Sequence, residues 1–304
     1  MKNHNGILPQ ILLLLAAAFW GASFIFTKGL FLTEAEITPS IILVGRMLIA
    51  TVVTMPVLLV TGRLERIKKG HLKYFLLLAL AEPFLYSICE TSGVKFVSGS
   101  LASIIIATIP LFVPFGMALF YGEKLHLRVF VGIVLSLCGI ALMSFGDDVD
   151  LTASWQGLAL LAAAVVIAVA YTIILVKVVG QYKPFTVTAY QNLFAFVYFV
   201  PLMLVLDAPH LGALSYSPRM FLYLAFLGIF CSTVAYAFYN YGISRLGATK
   251  GSLYSNTIPV FSLIAALIMG QESVGIAKLA GVVIVLVGLT LAQRNKHKME
   301  TSKQ

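Results

Sequence analysis

Residues 107–112 read ATIPLF, and residues 256–261 read NTIPVF. Each stretch lies inside a long apolar run and places a proline where a helix would otherwise continue. A proline in a helix interior lacks the backbone donor and crowds the carbonyl four residues earlier, at a cost of about 3 kcal/mol. One disruption written twice, 149 positions apart, points to an internal repeat.

The composition says what kind of chain is repeated. Of 304 residues, 60% are hydrophobic and 11% charged, whereas a soluble globule is about a quarter charged. The charges leave ten apolar runs: 3–27, 37–62 (broken by Arg46), 74–94 (broken by Glu82 and Glu90), 96–122, 129–146, 151–176, 184–206, 220–244, 251–271 and 279–293. Most can cross a hydrocarbon layer of about 30 Å as a helix, and the last reaches that length if Lys278 snorkels. The expected fold is an all-α polytopic membrane protein with ten transmembrane helices. A membrane barrel needs alternating strands of about ten residues, and these are absent from the pattern. A cleaved signal peptide over 7–26 is disfavoured, because a similar segment recurs in mid-chain where cleavage could not occur. Cys89, Cys138 and Cys231 fall within apolar runs and are odd in number, so packing rather than a disulfide framework is expected.

The net charge of +9 marks topology rather than a nucleic-acid partner. With the N-terminus in the cytoplasm, 16 Lys and Arg fall on the cytoplasmic side and four (Lys28, Lys95, Arg219 and Lys278) on the other. That bias places both termini in the cytoplasm. The short loops and the lack of organelle targeting point to a bacterial inner membrane.

The repeat extends beyond TIP. At the same spacing Ser23 meets Thr172, Lys28 meets Lys177, Gly93 meets Gly242, Glu123 meets Glu272, Gly132 meets Gly281 and Gly139 meets Gly288. In the second span the spacing slips to 145, pairing Pro39 with Pro184, Arg46 with Gln191 and Pro56 with Pro201. The expected division is a first five-helix repeat at 1–146, an acidic linker turn at 147–154, a second repeat at 155–293 and a basic cytoplasmic tail at 294–304. Five spans return the chain to the opposite face, so the halves are expected to be inverted, as in secondary transporters.

Small residues precede each proline at helical spacing: Gly99, Ser103 and Ala107, then Ala248, Ser252 and Asn256. Small faces let helix backbones approach closely in lipid. The prolines would free the carbonyls of Ile106 and Ser255, which is tolerated at membrane depth only against protein or a wet cavity. Pro110 and Pro259 are therefore expected as hinges in cavity-lining helices; a simple packing bend is the alternative.

AAAFWGASFIFTK (16–28), GVKFVSGSLASIIIATIPLF (93–112), FYGEKL (120–125) and the echoes LGATKGSLYSNTIPVF (246–261) and GQESV (270–274) give the chain a resemblance. Over about 7–293 it resembles the ten-span EamA branch of the drug/metabolite transporter superfamily. The resemblance implies two inverted EamA-like repeats, cytoplasmic termini and a central cavity built from both halves. It also implies export or exchange of amino acids or other small metabolites. It implies no cofactor and leaves the substrate open.

Residues that fail to repeat are the better candidates for chemistry. Glu82 and Glu90 correspond to Cys231 and Tyr239, and Arg46 to Gln191. A charge at bilayer depth costs at least roughly 2.5–3.5 kcal/mol and needs a partner or a task. Counting about 1.5 Å per residue, Arg46 and Glu90 lie at similar depths of roughly 10 and 8 Å, so an Arg46–Glu90 ion pair is expected, as a packing tie or an outer gate. Glu82, Tyr86 and Glu90 share one helical face. Glu82 sits near the midplane with no cation at its level, which suits reversible protonation or capture of a substrate ammonium group; a permanently protonated structural acid is the alternative. The proton is the candidate coupling ion. Glu123 and Glu272 do repeat, and helix capping accounts for them.

Trp20, Ser23, Tyr171, Asn192, Tyr236, Asn240 and Asn256, with Tyr254, complete the candidate lining, a mixture of rings and amides suited to an amphipathic metabolite. The five histidines map to loops, ends and tails, and no GxxxxGK[ST] loop occurs, which argues against an enzyme or an ATPase. The expected function is a secondary transporter moving a small metabolite by alternating access, with a uniporter or channel-like pore as the alternative. Monomer and dimer are both compatible with the sequence.

Overall fold

A computed structural model describes residues 7–94, 96, 105–144, 154–268 and 275–293. Lys95, Gly99, Ser103, the turn 147–153, Glu272 and the tail from 294 lie outside the described residues.

Short local signals start the helices. α1 (Ile7–Thr33) is followed by α2 (Pro39–Val60), where the Thr38 hydroxyl accepts the Ile41 N–H and Pro39 fills a position needing no donor. α7 (Trp155–Val178) begins on Ser154, whose hydroxyl accepts the Gly157 N–H, and α8 (Pro184–Leu206) begins on another proline. Ser217 and Pro218 open α9 (Pro218–Phe226) in the same way.

The helix before residue 94 is not continuous. α3 (Leu72–Ala79) passes into a π-helical segment, Leu80–Leu85, and then into α4 (Tyr86–Val94). In the second half α9 passes into a π-helical segment, Leu227–Val234, and then into α10 (Ala235–Leu246). Further helices are α5 (Ile109–Tyr121), α6 (Leu127–Ser144), α11 (Ala248–Ser252), α12 (Ile258–Ile268) and α13 (Ile276–Gln293), with a single helical turn at Ala208–Leu211. Six helical stretches, 7–33, 39–60, 72–93, 155–178, 184–206 and 218–246, are long and apolar enough to cross a membrane. Residues 109–121, 127–142 and 279–292 form shorter apolar helices.

The TIP prolines do not kink helix interiors as expected. Each sits at the second residue of a new helix, α5 or α12, after a turn at Ala107–Thr108 or a 3-10 segment at Leu253–Thr257. The threonines make the interruption work. Thr108 Oγ1 donates to the Ile105 carbonyl at 2.6 Å, and Thr257 Oγ1 to the Tyr254 carbonyl at 2.6 Å. The Ser255 carbonyl is not freed either, since the Ile258 N–H bonds to it. A helix restarted at the proline avoids the lost bond that a mid-helix proline would impose.

The two halves are interlaced. α1 packs against α10 and α12, whereas α7 packs against α4 and α5. α2 lies on α8 and on Leu227–Val234, and α8 in turn contacts α3 and Leu80–Leu85. The largest contact of all joins α6 to α13. Along that seam a Cβ on Gly132 would lie 2.6 Å from the Gly288 carbonyl oxygen, and one on Gly139 would lie 2.7 Å from that of Gly281. Gly281 and Gly288 are the repeat counterparts of Gly132 and Gly139, so the two contacts exchange under one two-fold operation and the helices run antiparallel. Ser136 Oγ donates to the carbonyl of Val285, its own counterpart, at 3.4 Å.

Loops tie the halves at both ends of α2. At one end Glu34 is buried and accepts Ser215 and Ser217 through both N–H and hydroxyl groups, at 2.7–3.2 Å. The serine hydroxyls, foremost that of Ser215, hold the Glu34 carboxyl down to about 2. At the other end Glu65 accepts the Lys183 N–H, and Tyr182 accepts the Lys68 N–H at 3.0 Å. Glu123 does not cap α6, which starts four residues later at Leu127; its carboxylate accepts the Thr249 hydroxyl at 2.8 Å.

Two outcomes follow from this packing. Gly139→Ala forces α6 from α13 and is expected to destabilise by about 1–3 kcal/mol, read as a lower Tm in detergent, whereas Gly275→Ala, with open space around it, leaves Tm unchanged. Glu34→Gln is expected to lower Tm at neutral pH. Because the folded value lies below the ordinary 4.5, the wild-type advantage is full above that pH and shrinks as pH falls toward about 2.

Candidate functional site

The break in the third span begins at a dipeptide. Pro83 pushes the preceding residue out of the helical region, and Glu82 accordingly has an extended backbone, φ −142° and ψ 125°. Glu82, Tyr86 and Glu90 therefore do not share one uninterrupted helical face. The extended residue presents both its carbonyl and its carboxylate to the second half. Gln191 Nε2 donates to the Glu82 carbonyl at 2.8 Å, and the Tyr236 hydroxyl donates to the Glu82 carboxylate at 2.9 Å.

The counterpart of Glu82 is Cys231, in the second π-helical segment, and its carbonyl is taken in a matching way. Trp20 Nε1 donates to it at 3.2 Å. Beside it, Arg46 Nε donates to the Ser232 hydroxyl at 3.3 Å, and Asn192 Nδ2 donates to the Ser232 carbonyl at 2.9 Å. The break at Glu82 and the π-helical segment at Cys231 are thus both supported by polar side chains, and each of the two counterpart carbonyls has a donor from the opposite half. A two-fold operation also relates two apolar or weakly polar contacts: Thr54 with Thr233, 3.2 Å apart, and Phe84 with Phe199, ring centroids 4.9 Å apart.

Rings surround Glu82. Trp20 packs against Tyr236 and Tyr239, with centroids 5.2 and 5.3 Å away. Tyr86, Tyr171, Tyr236 and Tyr239 all lie within electrostatic reach of Glu82. Tyr171 is buried, and its hydroxyl accepts from Gln191 Nε2 at 3.4 Å. Glu90 accepts the Tyr86 hydroxyl at 2.9 Å.

The expected Arg46–Glu90 ion pair is not formed. Among the described residues the one ion pair within bonding distance is the exposed His210–Glu36 contact at 3.0 Å. Arg46 Nε points instead to Ser232, because the π-helical segment brings that hydroxyl beside α2.

Of the residues expected to line one cavity, Trp20, Arg46, Glu82, Tyr86, Glu90, Tyr171, Asn192 and Tyr236 converge here. Ser23 turns back to its own helix, donating to the Trp20 carbonyl at 2.7 Å. Asn240 instead donates to Thr188 at 3.1 Å, joining α10 to α8. Asn256 is buried in the 3-10 segment with neither amide atom hydrogen-bonded. Gln191, Ser232 and Tyr239 are the members that the charge pattern missed. The Glu82–Pro83 dipeptide was the readable signal for the broken backbone. Among the described residues no group of His, Cys, Asp and Glu could hold a metal ion.

The chain is similar to known proteins. The family model of the EamA-like transporter family matches residues 7–145 and again residues 155–293. An uncharacterized transporter of Archaeoglobus fulgidus is 26% identical over 286 residues, covering 94% of this chain and 99% of that protein. The uncharacterized transporter YcxC of Bacillus subtilis is 28% identical over 305 residues, covering 98% and 96%. A crystal structure at 17% identity superposes with a TM-score of 0.78, covering 93% of this chain and 97% of the other, a likeness of fold.

Gln191→Leu leaves the Glu82 carbonyl without its side-chain donor. It is expected to destabilise by about 1–3 kcal/mol, measured by thermal unfolding of the solubilised protein.

Proposed function

The chain belongs to the EamA-like transporter family, and from that premise we propose that it is a proton-coupled secondary carrier for a small amphipathic metabolite, working by efflux or exchange. Family membership makes it a membrane transporter and not an enzyme. The finer reading has ten spans in two inverted five-helix repeats, 1–146 and 155–293, joined by the turn 147–154 and followed by the tail 294–304. The antiparallel α6–α13 seam supports inversion, and the paired π-helical segments, Leu80–Leu85 and Leu227–Val234, support the duplication. The bias of basic residues supports cytoplasmic termini, and the inner membrane of a bacterium is the compartment proposed.

The single observation that carries the mechanism is Glu82. It is a carboxylate at a broken helix inside the bundle, held by a neutral tyrosine from the other half. Broken helices at membrane depth are tolerated where they line a cavity and recur at transporter binding sites. Among the described residues no cation lies within bonding distance of this carboxylate, which leaves it open to a proton or a cationic ligand. Since its donor comes from the opposite half, any rocking of one half on the other changes what Glu82 faces. Alternate exposure to the two sides would thereby be linked to loading and unloading of this one group.

Glu82→Gln in proteoliposomes is expected to reduce transport driven by a pH gradient by about tenfold or more, the equivalent of losing a 1.4 kcal/mol coupling, while counterflow without a gradient persists. Full gradient-driven activity in the variant would remove the coupling role and leave a uniporter.

A further inference from the structure

Two helices that follow each other in the chain are drawn apart by their glycines. On α5 a Cβ at Gly116 would lie 2.8 Å from the end of the Ile173 side chain, so α5 sits close on α7. The Tyr121 hydroxyl, at the end of α5, donates to the Ile173 carbonyl at 2.9 Å. On α6, Gly132 and Gly139 hold the helix against α13 instead. A groove of about 270 Å³ opens between α5 and α6. Its floor is apolar, from Leu111, Pro114 and Phe115 of α5 and Phe130 and Ile133 of α6. Its rim is polar and comes from the connecting loop and α11: Glu123, Lys124, His126 and Thr249.

Along this rim basic and apolar side chains alternate. Lys124, Leu125, His126, Leu127 and Arg128 are all exposed, Leu125 at 53% and Leu127 at 78%. Leucines so placed beside basic groups suit the boundary between headgroups and acyl chains, not water. The rim carboxylate, Glu123, accepts the Thr249 hydroxyl. Among the described residues no ion pair takes up Lys124, His126 or Arg128. Sorting of basic residues by membrane side accounts for charge in this loop, but not for a groove beneath it. The floor is written in both halves and the rim is not. Leu111, Phe115 and Ile133 correspond to Val260, Ile264 and Val282, whereas Lys124, His126 and Arg128 correspond to Ser273, Gly275 and Ala277.

We propose that this groove binds one anionic phospholipid, its phosphate on Lys124 and His126 and an acyl chain between α5 and α6. A phosphate takes charge-assisted hydrogen bonds from a lysine, and basic pockets between membrane helices suit anionic headgroups. A soluble phosphate would leave the apolar floor uncovered, and a zwitterionic headgroup brings its own cation to a basic rim. The inference rests on the reading of α5 and α6 as membrane helices of the ten-span arrangement, and not on Glu82 or the coupling proposed for it.

The test uses the full-length protein in non-ionic detergent, read by native mass spectrometry and by thermal unfolding. The probes are dioleoylphosphatidylglycerol, dioleoylphosphatidylcholine and glycerol phosphate. Expected is one phosphatidylglycerol bound more tightly than phosphatidylcholine, by about fivefold for each basic group engaged. The unaltered protein is also expected to gain more in Tm from phosphatidylglycerol, which reads the preference without any variant. Lys124 and His126 are exposed, so Lys124→Gln with His126→Gln is expected to keep the Tm of the lipid-free protein. It brings the two lipids within about twofold of each other. Arg63→Gln with Lys69→Gln removes basic groups from another loop and is expected to leave the preference intact. Equal binding of the two lipids by the unaltered protein overturns the inference, as does a preference that survives Lys124→Gln with His126→Gln or is lost in both double variants alike. Displacement of phosphatidylglycerol by glycerol phosphate also overturns it, since the rim then serves a soluble anion. None of these outcomes bears on gradient-driven transport, so the carrier reading stands or falls separately.

Discussion

Close contact between counterpart helices from opposite halves is the constraint on which the rest of the structure depends. Lipid tails are as apolar as leucine, so burial of apolar area does not drive helices together in a bilayer; dispersion and polar contacts must do it. Those forces act only at short range. Gly132 with Gly288 and Gly139 with Gly281 allow backbones to touch along α6 and α13. Gly93 instead seats the Leu161 side chain where α4 meets α7, and Gly242 seats that of Leu13 where α10 meets α1. Because the main contacts cross between halves, neither half has a complete set of neighbours alone.

The same crossing places the chemistry. A helix interrupted inside the bundle exposes carbonyls that need donors. Glu82 obtains one from Gln191 and Cys231 obtains one from Trp20, in both cases from the opposite half. The supports are equivalent in position and different in kind. The break therefore carries a carboxylate beside tyrosines, and the π-helical counterpart carries a buried thiol that donates to the Phe19 carbonyl. Symmetry builds the frame, and its local violations make a site with one direction of charge.

Much of this was legible from residues alone, and the failures have specific reasons. Repeat pairing named Gly132 with Gly281 and Gly139 with Gly288 as counterparts, and the fold brings them together along α6 and α13. The TIP motif was read as a kink because the proline drew attention from the threonine before it; the hydroxyl bond back to residue i−3 turns the kink into a new helix start. Depth counting put Arg46 and Glu90 at one level, but level does not fix azimuth, and the π-helical segment swings Ser232 into the position the carboxylate was expected to hold. Glu123 was read as a cap because the residues that compete for it lie 126 positions away.

Sequence by itself determined the helical membrane class, the duplication and the candidate charges, because apolar length, repeat spacing and the rarity of charge in lipid are properties written along the chain. Only tertiary structure decided which groups meet those charges. Arg46 and Glu82 are separated by 36 positions, yet their partners, Ser232 for Arg46 and Tyr236 and Gln191 for Glu82, come from the other half, and a hydrogen bond is set by ångström-scale direction that no one-dimensional pattern encodes.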